Sequence, residues 1–434
     1  MRAGAWTAPL PQARAHGRGP RPATLPEGGG GQAPPLTGEF GALPGRGCES
    51  IPAVQKDPTG RRPAGAVARA RVTLRDVARE AGVSYATASR AIHPGSRKVN
   101  EAARDRVLAV AMRLNYTPHF PAQAVAKGST ATVALTVSDI ADPYFSLLAV
   151  GARAAADEAG LTLTLAMSGR DPGRELDIVR RLRGQRPRVI VVAGSRVAES
   201  PEREALVEEL RAFERGGGRV ALISQPDLPF PTVSLDNRGA GRQLAAALAE
   251  RGYRRVAVIS GPAGLRTSAD RVDGLVSGAA DAGIALARGD VVEAELTREG
   301  GHAGALALVE RGLGGSDRLG GTRLGGSDRL GGSDGLNGVD VIVAVTDVMA
   351  VGAMSALRDA GVVPGRDVGV AGFDDIPMAV DVTPELTTVA APLVSMGARA
   401  VRLALAGAAV PLSETAVTGV VVRASTPGPR QSPL

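Results

Sequence analysis

Residues 72–93 read VTLRDVAREAGVSYATASRAIH and divide into two short helices around one tight turn. Thr73 is placed to cap the first helix, with Asp76 three residues on to reciprocate, and Val77, Ala78 and Ala81 form an apolar stripe at helical spacing. Gly82 stops that helix. Ser84 is the next N-cap candidate, and the helix it opens carries Ala88, Ala91 and Ile92 inward while Tyr85, Ala86, Ser89 and Arg90 face out. This is the layout of a helix-turn-helix, whose second helix reads the major groove of DNA.

Outward from this stretch, VNEAARDRVLAVAMRLNYTP (99–118) reads as a third helix. Asn100 caps it, Glu101 suits the positive end of the dipole, Ala103, Val107, Val110, Ala111 and Leu114 share one face, and Asn115 and Pro118 end it. HFPAQAVAKGS (119–129) leads out as a segment too short to be a stable helix alone. From Ala131 the pattern changes to strand and helix in alternation. TVALTVS, LTLTLAM, RVIVVAG and RVALIS make one series of short apolar runs. RRVAVISG, DVVEAEL, VDVIVAV and DVGVAGFDD make a second, with helices such as Gly239–Arg251 and Met349–Ala360 between them. Runs of this kind predict parallel strands buried on both faces, and two such half-sheets leave a crevice at the carboxyl ends of their strands. The fold class is therefore α/β, a three-helix head ahead of a two-lobed core of parallel sheets flanked by helices.

The 434 residues exceed one ordinary core. Residues 1–70, crowded with Pro, Gly, Ala and Arg and without hydrophobic period, read as a disordered extension or a basic arm. The head spans 71–118, the hinge 119–130, the core 131–426 and a short tail 427–434. Tandem GGSDRL-like units at 312–338 read as a flexible surface insertion, and the G-x-S-x-G pattern at 331–335 lacks the strand and helix that a nucleophile elbow needs. A net charge of +7 favours a polyanionic partner, although arginine excess also follows from genomic composition. The single cysteine, Cys48, excludes an intrachain disulfide framework. With no secretory h-region and no membrane-length apolar run, the expected location is the cytoplasm. His16, His93, His119 and His302 have no metal-ligand spacing, and no nucleophile, base and orienter can be assembled, so neither an enzyme nor a cofactor is expected.

In order along the chain, the helix-turn-helix segment, RLNYTP, DPYF, RVDGL, TDVMAVGAMSAL, VGVAGFDDIP and LTTVAAP resemble the lactose and purine repressor (LacI/GalR) family of transcriptional regulators. The resemblance runs from Val72 to Thr426. It implies a head that binds double-stranded, near-palindromic operator DNA, a hinge helix, and a core resembling periplasmic sugar-binding proteins that holds an effector between its lobes and forms a homodimer. For the head it points to Thr73, Ser84, Tyr85, Ala86, Thr87, Ser89 and Arg90 as DNA-contacting residues. Arginine suits bidentate contact with guanine, and the hydroxyls suit phosphates or plain capping. Val125 matches the family's minor-groove leucine, as a shorter, β-branched wedge. For the core it points to Asp142, Phe145, Thr267, Arg271, Leu296 and Asp347 as effector contacts, with Arg271 tying the effector to the second lobe and Asp347 as its carboxylate partner. Two carboxylates and an arginine make the hydrogen-bonding set that a neutral polyol requires. The effector implied is a sugar. Leu296 stands where several relatives offer an aromatic ring, which leaves a nucleobase or another metabolite as the alternative. The tail 413–434 carries no leucine heptads, so no coiled-coil tetramer is expected.

Overall fold

The computed structural model describes residues 4–6, 72–92, 99–116, 129–314, 338–407 and 413–428. The hinge with Val125, nearly all of the glycine-rich repeat and the last six residues lie outside them.

The chain divides into two units. The first contains helices α1 (Leu74–Glu80), α2 (Tyr85–Ile92) and α3 (Glu101–Arg113). Thr73 and Asp76 form the expected reciprocal box: the Asp76 amide donates to Thr73 Oγ1 at 3.4 Å, and the Thr73 amide donates to Asp76 Oδ2 at 3.0 Å. Gly82 turns the chain at φ +66°, a conformation that costs glycine nothing and a side chain much. Ser84 Oγ accepts from the Thr87 amide at 3.1 Å, and Asn100 Oδ1 accepts from the Ala102 amide at 3.0 Å, so α2 and α3 start where their caps dictate. Val77, Ala78, Ala81, Ala88, Ala91 and Val107 are the buried core. Ile92, Val110, Ala111 and Leu114 only lean against it, because so small a unit cannot enclose every apolar side chain.

The second unit is two lobes, each a sheet covered by helices. In the first lobe the strands are β1 (Gly4–Trp6), β2 (Thr132–Val137), β3 (Thr162–Met167), β4 (Val189–Ala193), β5 (Arg219–Ile223), β6 (Thr232–Leu235) and β12 (Ser413–Ala416), in the order β1-β12-β6-β5-β4-β2-β3 and all parallel. In the second they are β7 (Val256–Ser260), β8 (Val291–Glu293), β9 (Val341–Ala344), β10 (Gly369–Asp374), β11 (Thr387–Ala390) and β13 (Gly419–Val421), in the order β13-β11-β10-β9-β7-β8. All eight expected apolar runs contain strands.

Three features depart from the sequence reading. Gly4–Trp6 stands as a strand against Ser413–Ala416, inside the extension read as disordered, since the outer edge of β12 offers unpaired backbone groups to any extended segment. The strand Thr162–Met167 is not buried on both faces: it closes one edge of its sheet and leaves Leu165 and Met167 about half exposed. The segment after residue 413 supplies one strand to each lobe, and β13 runs antiparallel to β11, giving the otherwise parallel sheet a mixed edge.

The helices of the lobes are α4 (Pro143–Glu158), α5 (Pro172–Gln185), α6 (Arg203–Arg215), α7 (Asn237–Glu250), α8 (Arg266–Ala282), α9 (Arg298–Gly314), α10 (Asp347–Asp359), the short α11 (Met378–Asp381) and α12 (Leu393–Ala406). α4 and α12 approach through glycines: a Cβ on Gly151 would lie 1.7 Å from the Val394 carbonyl oxygen, and one on Gly397 1.9 Å from that of Leu148. α7 and α8 meet likewise, a Cβ on Gly274 falling 2.2 Å from the Arg238 carbonyl oxygen. That approach fixes the helix that carries Arg271. The chain passes between the lobes after β6, between β11 and α12, and between β12 and β13, so the lobes share their connections and face each other at their strand ends. Among the described residues no helix is long and apolar enough to cross a membrane.

Candidate functional site

Between the lobes lies a cavity lined by residues of both. Asp142 and Phe145 enter it from the start of α4, Thr267 and Arg271 from α8, and Leu296 from the loop after β8. Five of the six core residues singled out from the sequence therefore line one space. Asp347 does not.

Asp347 is fully buried beneath the cavity. Its carboxylate accepts from the Ile376 amide at 3.0 Å and from the Thr388 hydroxyl at 2.6 Å, and burial followed by the nearby Asp374 pushes its pKa well above the ordinary carboxylate range. Nor is it the helix cap, because Thr346 takes that place and accepts from the Met349 amide at 3.3 Å. The carboxylate that pairs with Arg271 is Asp374, at the carboxyl end of β10: Arg271 Nη2 to Asp374 Oδ1 is 2.6 Å. The expectation of Asp347 as the arginine's partner is thus corrected. The first residue of a helix points along its own turn, whereas the last residue of a parallel strand points into the crevice.

Arg271 is 3% exposed, and each of its three guanidinium nitrogens has a partner. Nε donates to Asn237 Oδ1 at 2.9 Å, Nη1 to the Val345 carbonyl at 2.6 Å, and the group lies 4.9 Å from the centre of the Phe373 ring. Asp374 sits at φ +110° and Asp375 at φ +55°. Such backbone persists only where its surroundings enforce it, and here Asp347 holds the Ile376 amide while Arg423 Nη2 holds Asp375 Oδ1 at 2.7 Å. Asp347 is therefore a positioning residue for the turn that presents Asp374.

On the facing lobe Asp142 both caps α4, accepting from the Tyr144 amide at 3.0 Å, and faces the cavity. Burial, and then the charge of Asp374, raises its pKa to about 6. Burial also drives the Tyr144 hydroxyl upward, so it is a neutral donor there. Several contacts stitch the lobes together, among them the Arg266 amide donating to the Arg196 carbonyl at 3.0 Å, the Ala198 amide to the Gly264 carbonyl at 2.9 Å and Arg266 Nη1 to Asp227 Oδ2 at 2.9 Å. Arg170 Nη2 reaches Asp142 Oδ2 and the Leu296 carbonyl, both at 3.4 Å, Gln225 Nε2 donates to Thr267 Oγ1 at 2.8 Å, and the Thr267 amide donates to Ser195 Oγ at 3.0 Å. Of these groups, Arg170, Ser195, Gln225, Thr346 and Asp374 escaped the sequence reading. Each stands at or just after the end of a parallel strand, which is the signal that would have found them.

In the head, Tyr85, Ala86 and Arg90 are exposed on α2, with Ser89 half-buried beside them. The hydroxyls of Thr73, Ser84 and Thr87 are engaged at the helix starts: Thr73 donates to Asp76 Oδ2 at 2.7 Å, and Ser84 and Thr87 share a hydrogen bond of 2.9 Å. They have capping work irrespective of DNA.

Residues 73–119 match the model of bacterial regulatory proteins, lacI family. Residues 130–312 match that of periplasmic binding proteins and the sugar binding domain of the LacI family, and 245–426 that of a periplasmic binding protein-like domain. The transcriptional regulator GalS of Salmonella typhimurium is 29% identical over 80% of this chain and 92% of its own, and GalR of Escherichia coli 29% over 77% and 88%. Among solved structures, the lac repressor dimer bound to operator and an anti-inducer superposes at TM-score 0.66, with 22% identity, over 82% of this chain and 99% of that one. The complex of the regulator CelR with cellobiose does so at 0.56, with 26% identity, over 82% of this chain and all of its own.

Proposed function

We propose that this chain, which belongs to the lacI family of bacterial regulatory proteins, is a sequence-specific DNA-binding repressor governed by a sugar held between its core lobes. The observation that carries the sugar reading is the polar set around the cavity. Arg271 and Asp374 on one lobe face Asp142 and Arg170 on the other, so the four formal charges cancel and paired donors and acceptors remain for hydroxyls. A neutral polyol suits such a site; an anion would have to displace carboxylates from their arginines.

The mechanism follows from the groups that span the cleft. Arg170, Gln225 and Thr267 link the lobes directly, so a ligand that replaces or strengthens those links changes the relative stability of open and closed cores. In a homodimer this changes the spacing of two heads, and a symmetric protein reads a near-palindromic site in the cytoplasm where operator DNA resides. Tyr85, Ala86 and Arg90 meet base edges, the hydroxyls of Thr73, Ser84, Thr87 and Ser89 lie toward phosphates, and Val125 wedges the minor groove.

The test is a thermal-shift screen of the protein against pentoses, hexoses, disaccharides, polyols, nucleosides and purine bases, followed by operator binding with and without each hit. A ligand at a hundred times its dissociation constant stabilises by about 2.7 kcal/mol, a shift of several degrees. A sugar that both shifts the melt and changes operator affinity supports the proposal. A shift by a nucleoside or base alone replaces the sugar, and an operator affinity indifferent to every binding ligand removes the switch.

A further inference from the structure

Thr130 and Thr132 carry the chain into the first lobe at the starting end of its strands, and three arginines surround that entry. The Arg186 carbonyl accepts from the Thr130 amide at 2.8 Å, the Arg188 amide donates to the Thr132 carbonyl at 2.9 Å, and the Arg219 amide donates to the Arg188 carbonyl at 3.1 Å. Their backbones are thus tied to the entry segment, while all three residues are exposed and, among the described residues, none forms an ion pair. Beside them Ser129, Arg183 and Arg186 line a groove between the ends of α5 and α6.

The fold does not account for this charge. α5 and α6 both end here, and the negative poles of their dipoles call for cations in the last turn, which Arg183 and Arg215 supply. Asp177, Glu208 and Glu209 are already engaged by Arg180, Arg183 and Arg215, which leaves Glu214 alone on these helix ends to offset the rest. Arg188 and Arg219 stand at the starts of β4 and β5, where a sheet has little dipole of its own to neutralise. Like charges gathered on one rim repel one another until a polyanion lies across them.

Resting on the DNA-binding reading above, we propose that the starting end of the first lobe is a second DNA-contacting surface, on which Arg186, Arg188 and Arg219 hold backbone phosphates flanking the site that the head reads. Residues 117–128 join the head to this end, and a chain of that length spans at most about 45 Å, little more than one turn of the duplex, so the flanks are within reach. Guanidinium contacts to phosphate are independent of sequence, so this surface adds affinity without adding base preference.

The full chain is first used to select its preferred site from a random duplex pool. That site is then offered in a short duplex of about 20 base pairs and in a long one with about 12 unrelated base pairs added on each side, about one helical turn. Fluorescence anisotropy across a salt series reads affinity and its salt slope. The long duplex binds about tenfold more tightly, and its log affinity falls more steeply with log salt by about 0.9 for each phosphate held, about 3 per protomer. Arg186→Asn/Arg188→Gln/Arg219→Gln, in which asparagine tolerates the φ of +52° at residue 186, loses that increment and binds the short duplex as the wild type does. Arg251→Gln/Arg254→Gln, at exposed positions beside the start of β7 in the second lobe, keeps it, which separates a local surface from net charge. The melt of each variant reports its folding, and the wild-type comparison of duplex lengths and salt slopes stands even if the triple variant does not fold. A wild type indifferent to duplex length, a triple variant that keeps the increment or weakens both duplexes alike, or a second-lobe variant that loses it too overturns the second surface and leaves DNA binding by the head intact. Failure to select any duplex overturns both.

Discussion

Asp374→Asn isolates what the buried ion pair contributes. The substitution keeps the volume, keeps an oxygen for Arg271 Nη2 to reach, and keeps a residue type that tolerates the positive φ at this position, so only the charge is lost. Arg271 is 3% exposed and Asp374 4%, and the guanidinium's other acceptors, Asn237 Oδ1 and the Val345 carbonyl, are neutral. Removing one member of so buried a pair strands a cation in low dielectric, at a cost of about 3–5 kcal/mol. With an acceptor retained, the expected loss is at the lower end, about 3 kcal/mol, which lowers the melting temperature of a core this large by about 5 °C. The second arm is the double variant Arg271→Met/Asp374→Asn, which removes both charges and fills the channel with an apolar chain. It is expected to be more stable than Asp374→Asn alone, although it carries one more change, because no unpaired charge remains. Neither variant responds to the sugar. The assay is a thermal or urea melt of each protein with and without ligand. A loss under about 1 kcal/mol for the single variant, or a double variant less stable than the single one, would refute the claim that an uncompensated guanidinium is what destabilises the core.

Asp142→Asn removes a carboxyl whose folded pKa, about 6, lies above its ordinary 3.8. The folded state therefore binds the proton more tightly than the unfolded state, and the wild type loses stability as pH rises from about 4 to about 6; the variant flattens that part of a stability-versus-pH curve, and an unchanged slope counts against a buried carboxyl. Asp347→Ala orphans the Ile376 amide and the Thr388 hydroxyl, at about 1–3 kcal/mol for the amide alone, and releases the turn of Asp374, so both the melt and sugar affinity fall; a normal sugar response shows that the turn holds without it. Arg90→Ala lowers specific operator affinity by about 1–3 kcal/mol with the core melt unchanged, and equal binding in a gel-shift titration removes its base-reading role.

Much of the site was legible because it follows from local chemistry. The capping box of Thr73 and Asp76, the stop at Gly82 and the inward alanines of α2 are all settled within a few residues, so the head could be read from VTLRDVAREAGVSYATASRAIH alone. The apolar runs located the inner strands equally well, since burial on both faces leaves no room for polar residues. The edge strand Thr162–Met167 was misjudged for the same reason. Its composition matches that of an inner strand, and only its place at the end of the sheet exposes it.

The sequence by itself determined the kind of molecule, a DNA-reading head followed by two lobes with a cleft, and five of the residues that line that cleft, Asp142, Phe145, Thr267, Arg271 and Leu296. Only the tertiary structure decided which of them meet. Asp347 and Asp374 both stand at the carboxyl ends of apolar runs, 27 residues apart in the same lobe, and nothing local distinguishes the one that pairs with Arg271 from the one that braces the turn behind it. The distinction lies in direction: one carboxylate ends a strand and faces the crevice, the other begins a helix and is turned beneath it. Directions of that kind are set by how sheets and helices pack, at distances in sequence where a hydrogen-bond partner leaves no periodic trace.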